Sequence, residues 1–323
     1  MINKNNMPVC VPLPRRFAFA KAFSMVELLV AMTLLSLIVL ALMAVFSNTE
    51  TAFRASVTQS DIFEGGRAAM DMMANDLRAM TPSYGNYNTN NNFYPGTSVS
   101  SNAVNFFTLD NSYADCSYLN GTLLYQPLQQ SLPGSSALRA NVLNYFFMLG
   151  RENTKWTGVG YIVNATNVSP LYPLYRFYAE TNISTPPVTL YWAFVNAVNQ
   201  GQWTNMSHVM DGVVHMTVRP YNQNGNWMTN YFQWINNNSE KITNQNAVFF
   251  PQYWGEVGTF TFSNAVPAAV ELQLGVIEDR TLQRSLSLPS GTVQSNYLSG
   301  QAGHVEVFRQ RVTIPNVDVT AYQ

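Results

Sequence analysis

An apolar run near the start of the chain constrains its fold more than any other feature. Between Leu28 and Phe46 every residue is apolar except Thr33 and Ser36, and no charged side chain occurs from Leu28 to Asn48. A helix of about 20 apolar residues spans the hydrocarbon core of a bilayer, whereas a buried helix of a soluble core is usually shorter. The run therefore predicts one membrane-spanning helix.

Charge on the two sides of this run predicts its orientation. The segment before it contains no acidic residue and four basic ones, Lys4, Arg15, Arg16 and Lys21. The next basic residue is Arg54. Because basic flanks stay in the cytoplasm, we expect a cytoplasmic N-terminus and an external chain after about residue 48. A secretory signal peptide is the alternative, but its apolar core would be shorter and would end at a small-residue cleavage site.

Glu27 stands at the cytoplasmic end of the predicted span. An ionised carboxylate inside hydrocarbon costs about 2.5 to 3.5 kcal/mol on insertion scales and normally marks a function. In one interpretation, Glu27 only reaches the cytoplasmic headgroups. In the other, cleavage between Ala22 and Phe23 creates an α-amine on Phe23, four residues before Glu27 on the same helical face.

The residues around this position resemble the processing signal of type IV prepilins and type II secretion pseudopilins. They read "KA" followed by "FSMVE", residues 21–27. The family usually has Gly where Ala22 stands and Thr-Leu in place of Ser-Met after the Phe. In that family a prepilin peptidase cuts before the Phe and methylates its new amine, and the fifth mature residue is Glu. The resemblance implies cleavage between Ala22 and Phe23, N-methylation of Phe23, and pairing of Glu27 with the Phe23 amine of a neighbouring subunit during assembly.

An amphipathic pattern continues the helix beyond the predicted span. Large apolar residues recur there at helical spacings, at Phe53, Val57, Phe63, Met70, Met73, Leu77 and Met80. We expect this stripe to pack on a β-sheet. Pro82 should stop the helix, and the adjacent Gly65 and Gly66 predict a weak point or bend.

The remaining chain, residues 83–323, is predicted to form one β-rich head. Short β-branched and aromatic runs begin at residues 103, 122, 142, 157, 174 and 188, separated by Gly, Pro, Asn and Ser clusters. The Asn-rich stretch 222–246 is predicted to be an exposed loop and is a candidate contact surface. The expected fold class is α+β, with a long N-terminal helix packed on an antiparallel sheet. The expected divisions are a leader (1–22), a membrane and assembly helix (23–48), an amphipathic helix (49–81) and the head (83–323).

Three C-terminal segments are similar in content and order to the minor pseudopilin J and PilW-type minor pilins. They are "HVMDGVVHMTVRPY" from His208, "VPAAVELQLGVIED" from Val266 and "VFRQRVTIP" from Val307. The segment "NDLR", residues 75–78, also resembles the end of the N-terminal helix in those proteins. These similarities imply a pilin-like head.

The sequence contains few candidates for catalysis or metal binding. His208, Asp211 and His215 are close enough in sequence to be metal ligands, but His208 and His215 face opposite sides of a continuous strand. No nucleophile elbow, zinc-protease, phosphate-loop or dinucleotide motif occurs. Of the two cysteines, Cys10 lies in the predicted leader, which leaves Cys116 without an intrachain partner. We expect no enzymatic activity, no metal and no cofactor.

The resemblance implies a minor pilin-like subunit of a type II secretion pseudopilus or type IV pilus in the bacterial inner membrane. Its head would be periplasmic or extracellular. Expected partners are the prepilin peptidase, other pilin-like subunits, the inner-membrane assembly platform and membrane lipid. The net charge of -1 argues against nonspecific nucleic-acid binding. The alternatives are a pilus-tip adhesin or DNA-uptake module, and a membrane-anchored adhesin or sensor that never polymerises.

Overall fold

A computed structural model of the chain describes residues 24–83, 104–110, 128–132, 134, 137–164, 171–225, 227, 247–250, 259–262 and 265–317. Ala22, Phe23 and both cysteines lie outside the described residues, as do the strand predicted from residue 122 and most of the predicted loop 222–246. The chain divides into two compact units, Met1–Ala55 and Ser56–Gln323.

The first element is the helix α1, Met25–Arg78. Its large apolar side chains from Met25 to Phe46 are exposed. By length and composition this helix could cross a membrane, and a signal sequence near an N-terminus has the same properties. Gly65 and Gly66, expected to weaken or bend the helix, lie inside it without interrupting it.

The described residues of the second unit are built on a nine-stranded antiparallel sheet. The strands in chain order are β1 (Phe106–Asp110), β2 (Gln129–Ser131), β3 (Leu138–Ala140), β4 (Asn144–Glu152), β5 (Lys155–Val163), β6 (Tyr172–Asn182), β7 (Ser207–Tyr221), β8 (Ala247–Phe250), β9 (Thr259–Phe262), β10 (Ala269–Ile277) and β11 (Val305–Thr313). The strand order in the large sheet is β11-β10-β7-β6-β5-β4-β1-β9-β8. Strands β2 and β3 form a separate two-stranded sheet.

Part of α1 packs on one face of the large sheet. Its large buried apolar side chains are Ile62, Met70, Met73 and Leu77, and they share one cluster with residues of β4, β7 and β10. This arrangement confirms the predicted α+β class, with a long N-terminal helix and an antiparallel sheet-rich domain. The stripe begins later than predicted, because Phe53, Val57 and Phe63 are exposed.

The opposite face of the sheet is covered partly by helix α2, Val188–Asn199. The sequence "VTLYWAF" from residue 188 was predicted to be a strand, and that prediction is wrong. Val188, Tyr191, Val195 and Val198 are all buried, a spacing of three and four that identifies one face of a helix. The pattern becomes visible only when the five residues after Phe194 are included.

Besides two 3₁₀ helices, Trp203–Asn205 and Ala302–His304, the described ranges contain two shorter α-helices. They are α3, Asp279–Leu286, and α4, Thr292–Ser299. Leu282 of α3 and Leu298 of α4 join a third apolar cluster with Val214 of β7 and Ile277 of β10. The sheet is therefore covered on one face by α1 and on the other by several smaller elements.

Candidate functional site

Glu27 lies in the first turn of α1 and completes a capping box. The backbone N–H of Ser24 donates to Glu27 Oε2 at 2.9 Å, and the N–H of Val26 donates to Ser24 Oγ at 3.4 Å. This reciprocal arrangement satisfies N–H groups that have no partner inside the helix. The carboxylate also lies at the positive end of the helix dipole. The sequence analysis missed this local role, although a Ser-x-x-Glu signature before an apolar run is a recognised signal.

The part of α1 from Leu28 to Phe46 has an almost entirely apolar surface. Leu29 is 64% exposed and Phe46 is 71% exposed. Glu27 is the only acidic or basic residue between Lys21 and Glu50. A continuous apolar surface of this extent requires lipid or protein to cover it. One carboxylate is thus placed at the N-terminal end of a surface suited to lipid or to other apolar helices.

Asp76 joins the last turn of α1 to the sheet. Arg176 of β6 donates to Asp76 twice, from Nε to Oδ2 at 2.7 Å and from Nη2 to Oδ1 at 2.9 Å. The Tyr161 hydroxyl of β5 also donates to Asp76 Oδ2. Such charge-assisted, two-pronged pairs are among the stronger hydrogen bonds of proteins. The available sequence signal, which the sequence analysis did not use, was a carboxylate placed between the buried Met73 and Leu77.

The electrostatics of this contact agree with its geometry. The hydrogen bond to Asp76 raises the pKa of Arg176, so the guanidinium stays charged. Burial, assisted by the hydrogen bond to Asp76, raises the pKa of Tyr161, so the phenol keeps its proton and remains a donor. The end of α1 is therefore held in place by a charged pair and a neutral hydroxyl.

Glu271 of β10 forms a second buried centre of charge. Arg309 Nη2 donates to Glu271 Oε2 at 2.9 Å, and the Tyr221 hydroxyl donates to the same oxygen at 3.1 Å. Arg219 Nη1 lies 3.6 Å from Oε1. Burial raises the pKa of Glu271, but the hydrogen bonds from Arg309 and Tyr221 outweigh it and lower the pKa overall. Glu271 therefore stays ionised and organises three side chains on β7 and β11.

The three residues considered as metal ligands do not form one site. His208 Nε2 lies 2.9 Å from Asp211 Oδ1 on an exposed part of β7. His215 is buried, and its Nδ1 accepts a hydrogen bond from the Val142 N–H at 3.1 Å. Among the residues that the structure describes, no group of three or more His, Cys, Asp or Glu side chains is placed to hold a metal ion.

The segments that carried the C-terminal resemblance come together in the fold. They form strands β7, β10 and β11, which are neighbours at one end of the sheet. The fourth segment, residues 75–78, closes α1 and contains Asp76. No family model, curated protein or solved structure matches the chain. The functional assignment therefore depends on the residues and geometry of this chain alone.

Proposed function

We propose that the chain is the precursor of a minor pilin-like subunit of a type II secretion pseudopilus or type IV pilus. The supporting observation is an exposed apolar helical surface with a single carboxylate in its first turn. The same helix ends on an antiparallel sheet, where Asp76 fixes it. A subunit of this kind needs an apolar helix to pack in lipid and then against other helices, and a folded head outside the membrane.

In this proposal, a prepilin peptidase cuts between Ala22 and Phe23 and methylates the new amine of Phe23. The mature subunit stays in the inner membrane until the assembly platform extracts it. Once helices bundle, the Glu27 carboxylate of one subunit pairs with the Phe23 amine of a neighbour. Pairing offsets the desolvation cost of a lone buried charge. It also fixes the axial register, because a shifted helix would leave both charges unpaired.

In this proposal, Glu27 in the first turn of α1 and Asp76 in its last turn have different roles. The capping box starts the helix close to the expected new terminus, so Glu27 is already oriented when the amine appears. The contact of Asp76 with Arg176 connects the other end to the head. The proposal assigns no catalytic step to this chain, since the peptidase and the assembly platform supply the chemistry and the work.

Intact-mass analysis of the membrane-extracted protein tests the processing step. We expect a mature species that begins at Phe23 and carries one methyl group. A species that still begins at Met1 when a prepilin peptidase is present would refute the proposal. Such a species would leave the membrane-anchored adhesin or sensor as the remaining interpretation.

Two substitutions at Glu27 separate pairing from the other roles of the carboxylate. If Glu27 pairs with an amine, both Glu27→Ala and Glu27→Gln should reduce assembly, because both remove the charge. If Glu27 only caps the helix, Glu27→Gln should assemble normally, since Gln also completes a capping box. If Glu27 only reaches the headgroups, both variants should assemble normally.

For these variants, the amount of protein in the membrane fraction is compared with the amount in assembled filaments. Abundance in the membrane fraction should be unchanged in both, because each removes an insertion penalty. Assembly is measured as co-purification with other pilin-like subunits from sheared filaments. Ser24→Ala is the matched control, because it removes the capping hydroxyl and keeps the carboxylate. Normal assembly of Glu27→Gln would remove charge pairing from the mechanism.

A further inference from the structure

Strand β11 lies at one end of the large sheet. It pairs with β10 in continuous register along its whole length, from Thr313 opposite Ala269 to Val305 opposite Ile277. Among the strands that the structure describes, β10 is its only neighbour. The other side of β11 is therefore a sheet edge nine residues long. Such an edge can pair with another chain, and it exceeds the usual strand length of about 5 to 6 residues.

Hydrogen bonds at the two ends of β11 show which backbone groups point toward this edge. The His304 carbonyl accepts from the Glu278 N–H at 2.9 Å, and the Ile314 N–H donates to the Ala268 carbonyl at 3.0 Å. At both ends the residue bonded toward β10 has an even number. In an antiparallel ladder, the residues between such bonded ones direct their N–H and C=O groups the other way. Those residues are Val305, Val307, Arg309, Arg311 and Thr313.

The side chains of these odd-numbered residues face solvent and include two cations. Val307 is 44% exposed, and the Arg309 side chain is 62% exposed. Arg311 is exposed as well. Because Phe308 and Val312 pack in the cluster that contains α1, the odd-numbered side chains lie on the opposite face of the sheet. The edge thus presents two guanidinium groups on one face, two residues apart.

Contacts with neighbouring strands hold both guanidinium groups in place. Arg309 Nη2 donates to Glu271 Oε2 at 2.9 Å. The Arg311 guanidinium lies over the Tyr221 ring, with Cζ 3.8 Å from the ring centroid, and its Nη2 donates to the Gly225 carbonyl at 3.4 Å. Each of these hydrogen bonds uses one of the five N–H donors of a guanidinium. Both arginines are therefore positioned beside the edge and retain donors for a further acceptor.

We propose that β11 binds an extended acidic segment of another polypeptide, which joins the sheet as an additional strand. Its backbone pairs with the outward N–H and C=O groups of β11, as in other complexes formed by strand addition. Its acidic side chains lie directly opposite Arg309 and Arg311, where opposite charges stabilise strand pairing and like charges oppose it. The backbone thus supplies affinity, and the two arginines select the partner. This surface is independent of the proposed function, since it involves neither the cleavage site nor Glu27.

A synthetic peptide tests this surface with the full-length protein in detergent micelles. The probe is fluorescently labelled Thr-Val-Glu-Thr-Glu-Val-Val, which in antiparallel register places its glutamates opposite Arg311 and Arg309 and its last valine opposite Val307. The control peptide has lysine in place of both glutamates. Fluorescence anisotropy should show saturable binding of the glutamate peptide at least about tenfold tighter than that of the lysine peptide, because two favourable charge pairs replace two unfavourable ones. Equal or absent binding of the two peptides would overturn the proposal.

Amide hydrogen exchange distinguishes an added strand from a simple ionic contact. When the glutamate peptide binds, exchange should slow at the outward N–H groups of Val307, Arg309 and Arg311. The N–H groups of Phe308 and Gln310 serve as internal controls, because they already face β10. Binding without added protection at the outward groups would show that the arginines attract the peptide without strand addition, which would refute the proposal.

Variants of β11 separate the backbone from the charges. Val307→Pro removes one outward N–H and leaves the bonds to β10 in place, a position that proline tolerates at a sheet edge. It should weaken peptide binding, whereas Val307→Thr keeps the N–H and should bind normally. The double variant Arg309→Gln/Arg311→Gln should lose the preference for glutamate over lysine. Unchanged affinity in Val307→Pro, with melting temperatures confirming that both Val307 variants are folded, would contradict strand addition.

Discussion

Adjacent glycines in α1 should respond in opposite directions to the same substitution. A methyl group added at Gly65 would meet no atom within 4 Å, whereas one at Gly66 would clash with the Phe308 ring. Replacing Gly by Ala inside a helix contributes about 1 kcal/mol through propensity. Gly65→Ala should therefore raise the free energy of unfolding by about that amount.

Gly66→Ala gains the same free energy from helix propensity, but it loses more free energy through overpacking. The Phe308 ring must move, and overpacking of this kind costs about 1 to 3 kcal/mol. Phe308 also meets Phe63 edge to face, with ring centroids 6.1 Å apart, a contact worth about 0.5 to 1.5 kcal/mol. The net effect of Gly66→Ala should lie between about 0.5 and about 3.5 kcal/mol of destabilisation.

Urea unfolding of fragment 49–323, followed by tryptophan fluorescence, measures both variants. The two alanine variants should differ by at least about 1 kcal/mol, with Gly65→Ala the more stable. The double variant Gly66→Ala/Phe308→Ala should show coupling, because the clash is gone when the ring is removed. Equal stability of the two single alanine variants would refute the close packing of Phe308 on α1.

Three further predictions use the same fragment. Asp76→Asn should destabilise the fragment by about 2 to 3 kcal/mol in urea, because Arg176 loses a charged partner. Glu50→Gln, which removes the exposed pair with Arg54, is the control and should cost less than about 0.5 kcal/mol. Equal effects would contradict the role of Asp76. Stability should fall by about 3 kcal/mol as pH drops from about 6.5 to about 4, because unfolding lets His215 take up a proton that the folded chain excludes; His215→Gln should flatten this part of the pH profile, and an unchanged slope would argue against the buried neutral ring. A fragment of residues 82–323 should melt far below fragment 49–323 in differential scanning calorimetry, since each large apolar side chain of α1 that is lost removes about 1.5 to 3 kcal/mol; equal melting temperatures would show that α1 is not part of the core.

The elements that could be predicted from sequence are those whose signal is local. Helix α1 has a long apolar run followed by helical spacing, and its predicted end near Met80 lies close to the observed end at Arg78. The strands β4, β5 and β6 have dense β-branched and aromatic residues between turns. Helix α2 has the same composition in its first seven residues, so composition predicted a strand. Packing on the sheet decided its structure, and no short window shows that.

The contacts that organise the candidate sites are mostly non-local. Asp76 and Arg176 are 100 residues apart in the chain, and Arg309 is 38 residues from Glu271. Their pairing depends on strand order, which the sequence pattern does not specify. The capping box at Glu27 is different, since Ser24 and Glu27 form a readable signature. It was missed because the resemblance offered a more specific role for the same carboxylate.

The placement of β11 beside α1 has a consequence for the time course of folding. Phe308 packs on Gly66 and Phe63, and Asn316 Nδ2 donates to the Met80 carbonyl at 3.0 Å, across 236 residues. A ribosome or translocon releases α1 first and β11 almost last. The part of the helix around Phe63 and Gly66 must therefore wait for the final strand, and folds with such distant contacts form slowly. During synthesis the growing chain would need a chaperone to shield that part of the helix until the C-terminal strand arrives.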